Sequence, residues 1–118
     1  MEKLDKLKKL GLDVDNALAR LGGMSDLYLG ILDKFLEDNS FDLFENFFNQ
    51  GLYEDALRNI HALKGILYNL GMNEEGDMAQ IIVNDLRANN YMERIPKVSK
   101  KLKKNYLTYK KKLNKLLK

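Results

Sequence analysis

The hydrophobic positions of this chain recur at spacings of three and four residues, which is the period of an amphipathic α-helix. The clearest example begins after Ser25, a residue type that favours the N-cap, and stops near Asn39. Its apolar stripe comprises Leu27, Tyr28, Ile31, Leu32, Phe35 and Leu36. The alternation typical of strands is scarce and Pro96 is the single proline, so the pattern predicts an all-α protein.

Glycine and asparagine residues divide the rest of the chain into further predicted helices. An N-terminal segment breaks at Gly11, and a short helix follows from Asp13 or Asp15 to Leu21. Ser40 is a second predicted N-cap and precedes a segment rich in aromatic rings. Three longer helices are predicted over about residues 53–70, about residues 74–88 and from about residue 96 onward.

These helices predict one domain over residues 1–118, built as an antiparallel four-helix bundle with short additional N-terminal helices. The N-terminal helices cover about residues 1–23, and the bundle covers about residues 24–117. A chain of 118 residues with 45% hydrophobic content has the size of a single domain. Much of the expected core comes from the third helical segment, through Phe41, Leu43, Phe44, Phe47 and Phe48.

Composition restricts the chemistry that the chain can carry. It contains no cysteine, which excludes disulfides and thiolate chemistry and suits a reducing compartment. No apolar run is long enough to span a bilayer and no signal-peptide core is present, so a cytoplasmic location is expected. The segment from Lys97 to Lys118 contains ten lysines and no acidic residue. The rest of the chain has the other ten of the 20 basic residues and all 17 acidic residues, so it is acidic while the C-terminal end is basic.

The segment from Tyr53 to Leu70 contains His61, the only histidine in the chain. At about 100° per residue, an apolar stripe lies opposite this histidine on the helix. That stripe consists of Ala56, Ile60, Leu63, Leu67 and Leu70. The face within about 60° of the histidine carries Glu54, Arg58, Lys64, Gly65 and Tyr68, and Leu57 borders it. His61 is therefore predicted to stand on the solvent-exposed face.

Gly65 makes this exposed histidine unusual. A glycine inside an exposed helical turn costs about 1 kcal/mol relative to alanine, so some benefit must offset it. One benefit is access, because a missing side chain one turn beyond His61 lets another protein approach the imidazole. Lys64 can reach toward an oxyanion held on His61. An exposed imidazole is mostly neutral at pH 7 and is then a nucleophile, so the set suits phosphoryl acceptance.

The residues resemble the histidine-containing phosphotransfer (HPt) domains of two-component phosphorelays. The motif is His61-Ala62-Leu63-Lys64-Gly65, followed by Asn69-Leu70-Gly71. Upstream, the likeness extends through Gly11-Leu12-Asp13-Val14-Asp15, Leu21-Gly22-Gly23, Tyr28-Leu29 and Phe35, so that it covers about residues 11–117. Family members usually carry a small residue where this chain has Tyr68. This tyrosine is predicted either to lean over the edge of the site or to lie along its helix against Leu57 or Lys64.

The resemblance implies a phosphocarrier rather than an enzyme. His61 would take a phosphoryl group from the aspartyl-phosphate of a receiver domain and pass it to a response-regulator receiver, with Lys64 beside the phosphate and Gly65 giving clearance. Receiver domains and a hybrid sensor histidine kinase are the implied partners, and Leu57, Arg58 and Tyr68 are the candidate partner-binding residues. No cofactor is expected in this chain, since Mg²⁺ would belong to the receiver. A monomer without nucleic-acid binding or membrane insertion is expected.

Three other interpretations of the sequence compete with the phosphocarrier. The first is a non-enzymatic helical binding module whose lysine-rich last helix contacts nucleic acid or an anionic membrane. The second is a structural bundle that assembles through the aromatic third helical segment, which would leave Gly65 unexplained. The third is a zinc or hydrolase site, which one histidine and no cysteine cannot supply with the usual ligands or triads.

Overall fold

The computed structural model describes residues 2–117, and this part of the chain is entirely helical, without a strand. Seven α-helices follow one another along it. They are α1 (Glu2–Lys9), α2 (Val14–Arg20), α3 (Ser25–Glu37), α4 (Ser40–Asn49), α5 (Tyr53–Asn69), α6 (Asn73–Arg87) and α7 (Ile95–Leu117). The all-α prediction is confirmed. No helix within these residues is long and apolar enough to cross a membrane.

The two predicted serine N-caps are each wrong by one position. Ser25 and Ser40 are the first helical residues, and the cap positions before them make no side-chain capping bond. Asp38 replaces the cap of α4, since its Oδ2 accepts the Ser40 N–H at 3.1 Å and the Ser40 hydroxyl at 2.6 Å. By contrast, α2 has the expected aspartate cap, because Asp13 accepts the N–H of Asn16 at 3.3 Å.

Helix α5 is central to the packing. It lies along both α4 and α6, and α6 in turn packs against α7. The shorter helices α2 and α3 also contact α5. Each large apolar side chain that is fully buried contributes about 1.5–3 kcal/mol, so the shared stripe of α5 is a major source of stability.

Gly71 fixes the turn between α5 and α6. Its φ is +82°, and a Cβ there would lie 2.5 Å from the Asp13 backbone oxygen. The close approach lets the Asp13 N–H donate to the Gly71 carbonyl at 2.9 Å. Glycine is therefore required where the N-terminal region joins the α5–α6 turn, both for its backbone conformation and for space.

Aromatic rings join the α3–α4 corner to α7. The Tyr106 ring lies 5.4 Å from Phe35 and 5.5 Å from Phe41, and its hydroxyl is 2.9 Å from both the backbone oxygen and Oδ2 of Asp38. Phe41 and Phe44 are buried, as predicted for the core. Others of the aromatic segment reach the core only in part, because Phe47 and Phe48 are half-buried and Leu43 is 36% exposed.

A buried carboxylate ties the end of α6 to the start of α7. Asp85 accepts two hydrogen bonds from Arg94, at 2.9 Å from Nε and 2.6 Å from Nη2. The hydrogen bonds from Arg94 hold the pKa of Asp85 below its usual range. This ion pair fixes the end of α6 relative to the start of α7.

Candidate functional site

The two faces of α5 differ as the sequence predicts. Every member of the predicted apolar stripe is fully buried, namely Ala56, Ile60, Leu63, Leu67 and Leu70. His61 is exposed to solvent on the opposite side. Burial of the stripe fixes the rotation of α5 about its own axis. In this orientation the His61 imidazole lies outside the core.

Three side chains predicted to neighbour His61 lie on or beside its face. Arg58 is exposed and forms an ion pair with Asp55 one turn before it, while Leu57 is half-buried at the border of the face. Lys64 is also half-buried. No carboxylate among residues 2–117 lies within ion-pairing distance of the Lys64 ammonium, so its charge remains available to an anion on His61.

A shallow depression of about 400 Å³ opens beside His61. Its lining includes Glu54, Leu57 and Arg58 from α5, together with Arg87 from the last turn of α6. Arg87 is not among the site residues that the sequence predicts. The feature of the sequence that could have indicated Arg87 is the turn at Gly71. A turn there makes α5 and α6 an antiparallel pair, which brings the end of α6 beside the first half of α5. Arg58, which is paired with Asp55, and Arg87 bring two guanidinium groups to the depression beside the Glu54 carboxylate. Guanidinium groups suit the oxygens of a phosphoryl group.

Gly65 lies in the open, one turn beyond His61. A Cβ added to it would meet no other group within 4 Å. No contact among the residues that the structure describes therefore requires a glycine at this position. The absence of an internal reason agrees with the prediction that Gly65 provides clearance for another molecule.

Tyr68 has a different role from either of the two that its sequence position suggested. It was predicted either to lean over the edge of the site or to lie along α5 against Leu57 or Lys64. Its ring instead packs over Gly76, where a Cβ would lie 2.5 Å from a ring carbon. The hydroxyl donates to Asp77 Oδ1 at 2.5 Å, and the Arg20 guanidinium lies 5.6 Å from the ring centroid. Burial, followed by the bond to Asp77, raises the pKa of Tyr68 to about 12.

The charged groups around His61 are mainly cationic. Across residues 2–117, no group of three or more histidine, aspartate and glutamate side chains is arranged to hold a metal ion. The imidazole is accompanied by Arg58, Arg87 and Lys64, and Glu54 adds a carboxylate to the lining of the depression. Comparison of the chain with family models, with curated proteins and with solved structures found no match.

Proposed function

We propose that the chain is a phosphocarrier of the histidine phosphotransfer class and that His61 carries the phosphoryl group. The observation on which this rests is the pairing of the sole histidine, exposed on α5, with an open glycine one turn later. In this proposal, the antiparallel four-helix bundle lies within α3 to α7, over about residues 24–117, and α1 and α2 are the additional N-terminal helices.

The transfer is a displacement at phosphorus. An imidazole nitrogen of His61 attacks the phosphorus of an aspartyl-phosphate in a receiver domain, so that a P–N bond forms and the P–O bond to the aspartate breaks. The aspartate leaves as a carboxylate, and the reverse reaction returns the group to a receiver. Mg²⁺ belongs to the receiver, and the cations on this chain offset the negative charge of the phosphoryl group.

Each neighbour of His61 contributes to this step in a defined way. Lys64 and the arginines Arg58 and Arg87 attract the phosphoryl oxygens, while Gly65 lets the receiver approach closely. Leu57 adds an apolar contact at the border of the docking face, as interface centres often have. Tyr68 remains a proposed partner contact, because its ring is only half-buried. Receivers and a hybrid sensor kinase are the proposed cytoplasmic partners, and the chain acts as a monomer.

The proposal is tested by incubating the chain with a receiver that carries a radiolabelled aspartyl-phosphate. We expect label on the wild-type chain that is lost in acid and stable in alkali, which is the behaviour of phosphohistidine. The variant His61→Gln should accept none. Because His61 is exposed, this variant should keep its fold, and a circular dichroism spectrum checks that it does. Label on the folded His61→Gln variant would contradict the assignment.

A further inference from the structure

A groove of about 460 Å³ separates α4 from α7. These two helices make little backbone contact with each other, whereas α5 packs closely on both of its neighbours. The groove shares no lining residue with the depression beside His61. Its volume lies in the range of small-molecule sites, which is about 300–1,000 Å³.

The walls of the groove are mainly apolar. Phe44 and Phe48 of α4 form one wall, with ring centroids 5.8 Å apart in a stacked arrangement. Pro96 at the start of α7 and Met92 in the preceding loop form the other. Met92 is 73% exposed, which is unusual for a large apolar side chain. A ligand with an apolar body would cover these side chains.

Ser99 provides a polar group in the same wall. Its hydroxyl is buried and has no hydrogen-bond partner among residues 2–117. Serine and threonine inside a helix commonly donate to the carbonyl four residues earlier. Thr108 of the same helix does so, with Oγ1 at 2.8 Å from the Lys104 oxygen. A buried hydroxyl without a partner is unfavourable, and an acceptor on a ligand would satisfy it.

The rim of the groove is cationic. Lys103 is paired with Glu45 at 2.9 Å, which closes one part of the rim. Lys100 also lines the groove, and no carboxylate in the described part of the chain lies within ion-pairing distance of it. An acidic group on a ligand would therefore meet the Lys100 ammonium and the Ser99 hydroxyl together.

We infer that this groove binds a small amphipathic carboxylate. Its apolar body lies between the half-buried Phe48 ring on one side and Met92 and Pro96 on the other. Its carboxylate pairs with Lys100 and, once the buried Ser99 hydroxyl rotates toward the groove, accepts a hydrogen bond from it. The inference does not depend on the proposed function, because none of these side chains belongs to the face around His61.

The test is a titration of the ¹⁵N-labelled chain with octanoate, followed by NMR, with octanol as the uncharged probe of equal length. We expect saturable shifts at Phe48, Met92, Ser99 and Lys100, and clearly weaker binding of octanol. Lys100→Gln should weaken octanoate binding about fivefold, as expected for one partly exposed charge. Ser99→Ala should weaken it about three- to tenfold through the lost hydrogen bond to a charged acceptor.

The matched control is Lys104→Gln, since Lys104 is exposed on α7 and does not line the groove. It removes the same charge from the same helix and should leave octanoate binding unchanged. Equal affinity for octanol and octanoate, equal weakening by the two lysine variants, or shifts that never saturate would each overturn the inference. All three variants alter surface or partly exposed positions, so the fold should persist.

Discussion

Gly65 and Gly76 lie in neighbouring helices, and their surroundings are opposite. At Gly76, an added Cβ would come within 2.5 Å of the Tyr68 ring, whereas at Gly65 it would meet nothing within 4 Å. Packing inside the chain thus explains Gly76 and leaves Gly65 unexplained. Gly30 in α3 is equally open, but no histidine lies one turn away from it. An open glycine therefore suggests a partner only when it adjoins a reactive group.

The largest effect on stability is expected at Gly76. A side chain forced into a packed site lowers the free energy of unfolding by about 1–3 kcal/mol. The higher helix propensity of alanine relative to glycine offsets up to about 1 kcal/mol of this loss. We expect Gly76→Ala to lower the free energy of unfolding in urea by about 1–2 kcal/mol. In a Tyr68→Ala background the ring is gone, so the same substitution should become neutral or stabilising. An equal cost in both backgrounds would show that Tyr68 is not the reason for this glycine.

At Gly65, a substitution is expected to increase stability instead of lowering it. Gly65→Gln should raise the free energy of unfolding by up to about 1 kcal/mol, because a helix former replaces an exposed glycine. It should also slow phosphoryl transfer from a receiver about tenfold or more, because the new side chain obstructs docking. The control Gly30→Gln should stabilise similarly and leave the transfer rate unchanged. Loss of the fold in Gly65→Gln, or equal slowing by both variants, would contradict the clearance role.

The contact between Tyr68 and Asp77 should make stability depend on pH in the alkaline range. The folded pKa of about 12 lies above the ordinary value of 10.0, so the folded state holds the phenol proton more tightly. The resulting stability is fully present below pH 10 and is lost as the pH rises toward 12. Tyr28, Tyr106 and Tyr109 also have raised pKa values, so the relevant quantity is the difference from Tyr68→Phe. We expect this difference in urea stability to shrink over that range, and a constant difference would refute the contact.

Periodicity predicted most of the fold, because the buried positions of each helix repeat with its turn. The stripe of α5 was predicted residue by residue, and so was the exposure of His61. The cap positions of α3 and α4 were not. At α4, Asp38 accepts both the N–H and the hydroxyl of Ser40, so Ser40 begins the helix instead of capping it. Contacts between helices could not be predicted from the sequence either. Arg87 in the depression and the Tyr68 ring over Gly76 depend on how α5 and α6 pack together, which one helical period does not specify.

The smallest effect is expected at the lysine-rich end of α7. Lys110 is unsuitable for this test, because its ammonium donates to the Asp38 carbonyl and lies 4.6 Å from the Tyr106 ring centroid. Lys111, Lys112 and Lys115 are exposed and can be neutralised without disturbing that contact. We expect the triple glutamine variant to keep its transfer rate, and neither chain to bind DNA or RNA at micromolar concentration in physiological salt. Binding that the triple variant loses would favour the nucleic-acid module.

Onward transfer from His61 is the most direct test of the carrier role. The chain is labelled by a phosphorylated receiver, separated from it, and mixed with a second, unlabelled receiver and Mg²⁺. The carrier role predicts that label leaves His61 and appears on the aspartate of the second receiver, much faster than it is lost to water. Label that stays on His61, or that is released only as inorganic phosphate at the rate seen without a receiver, would contradict it.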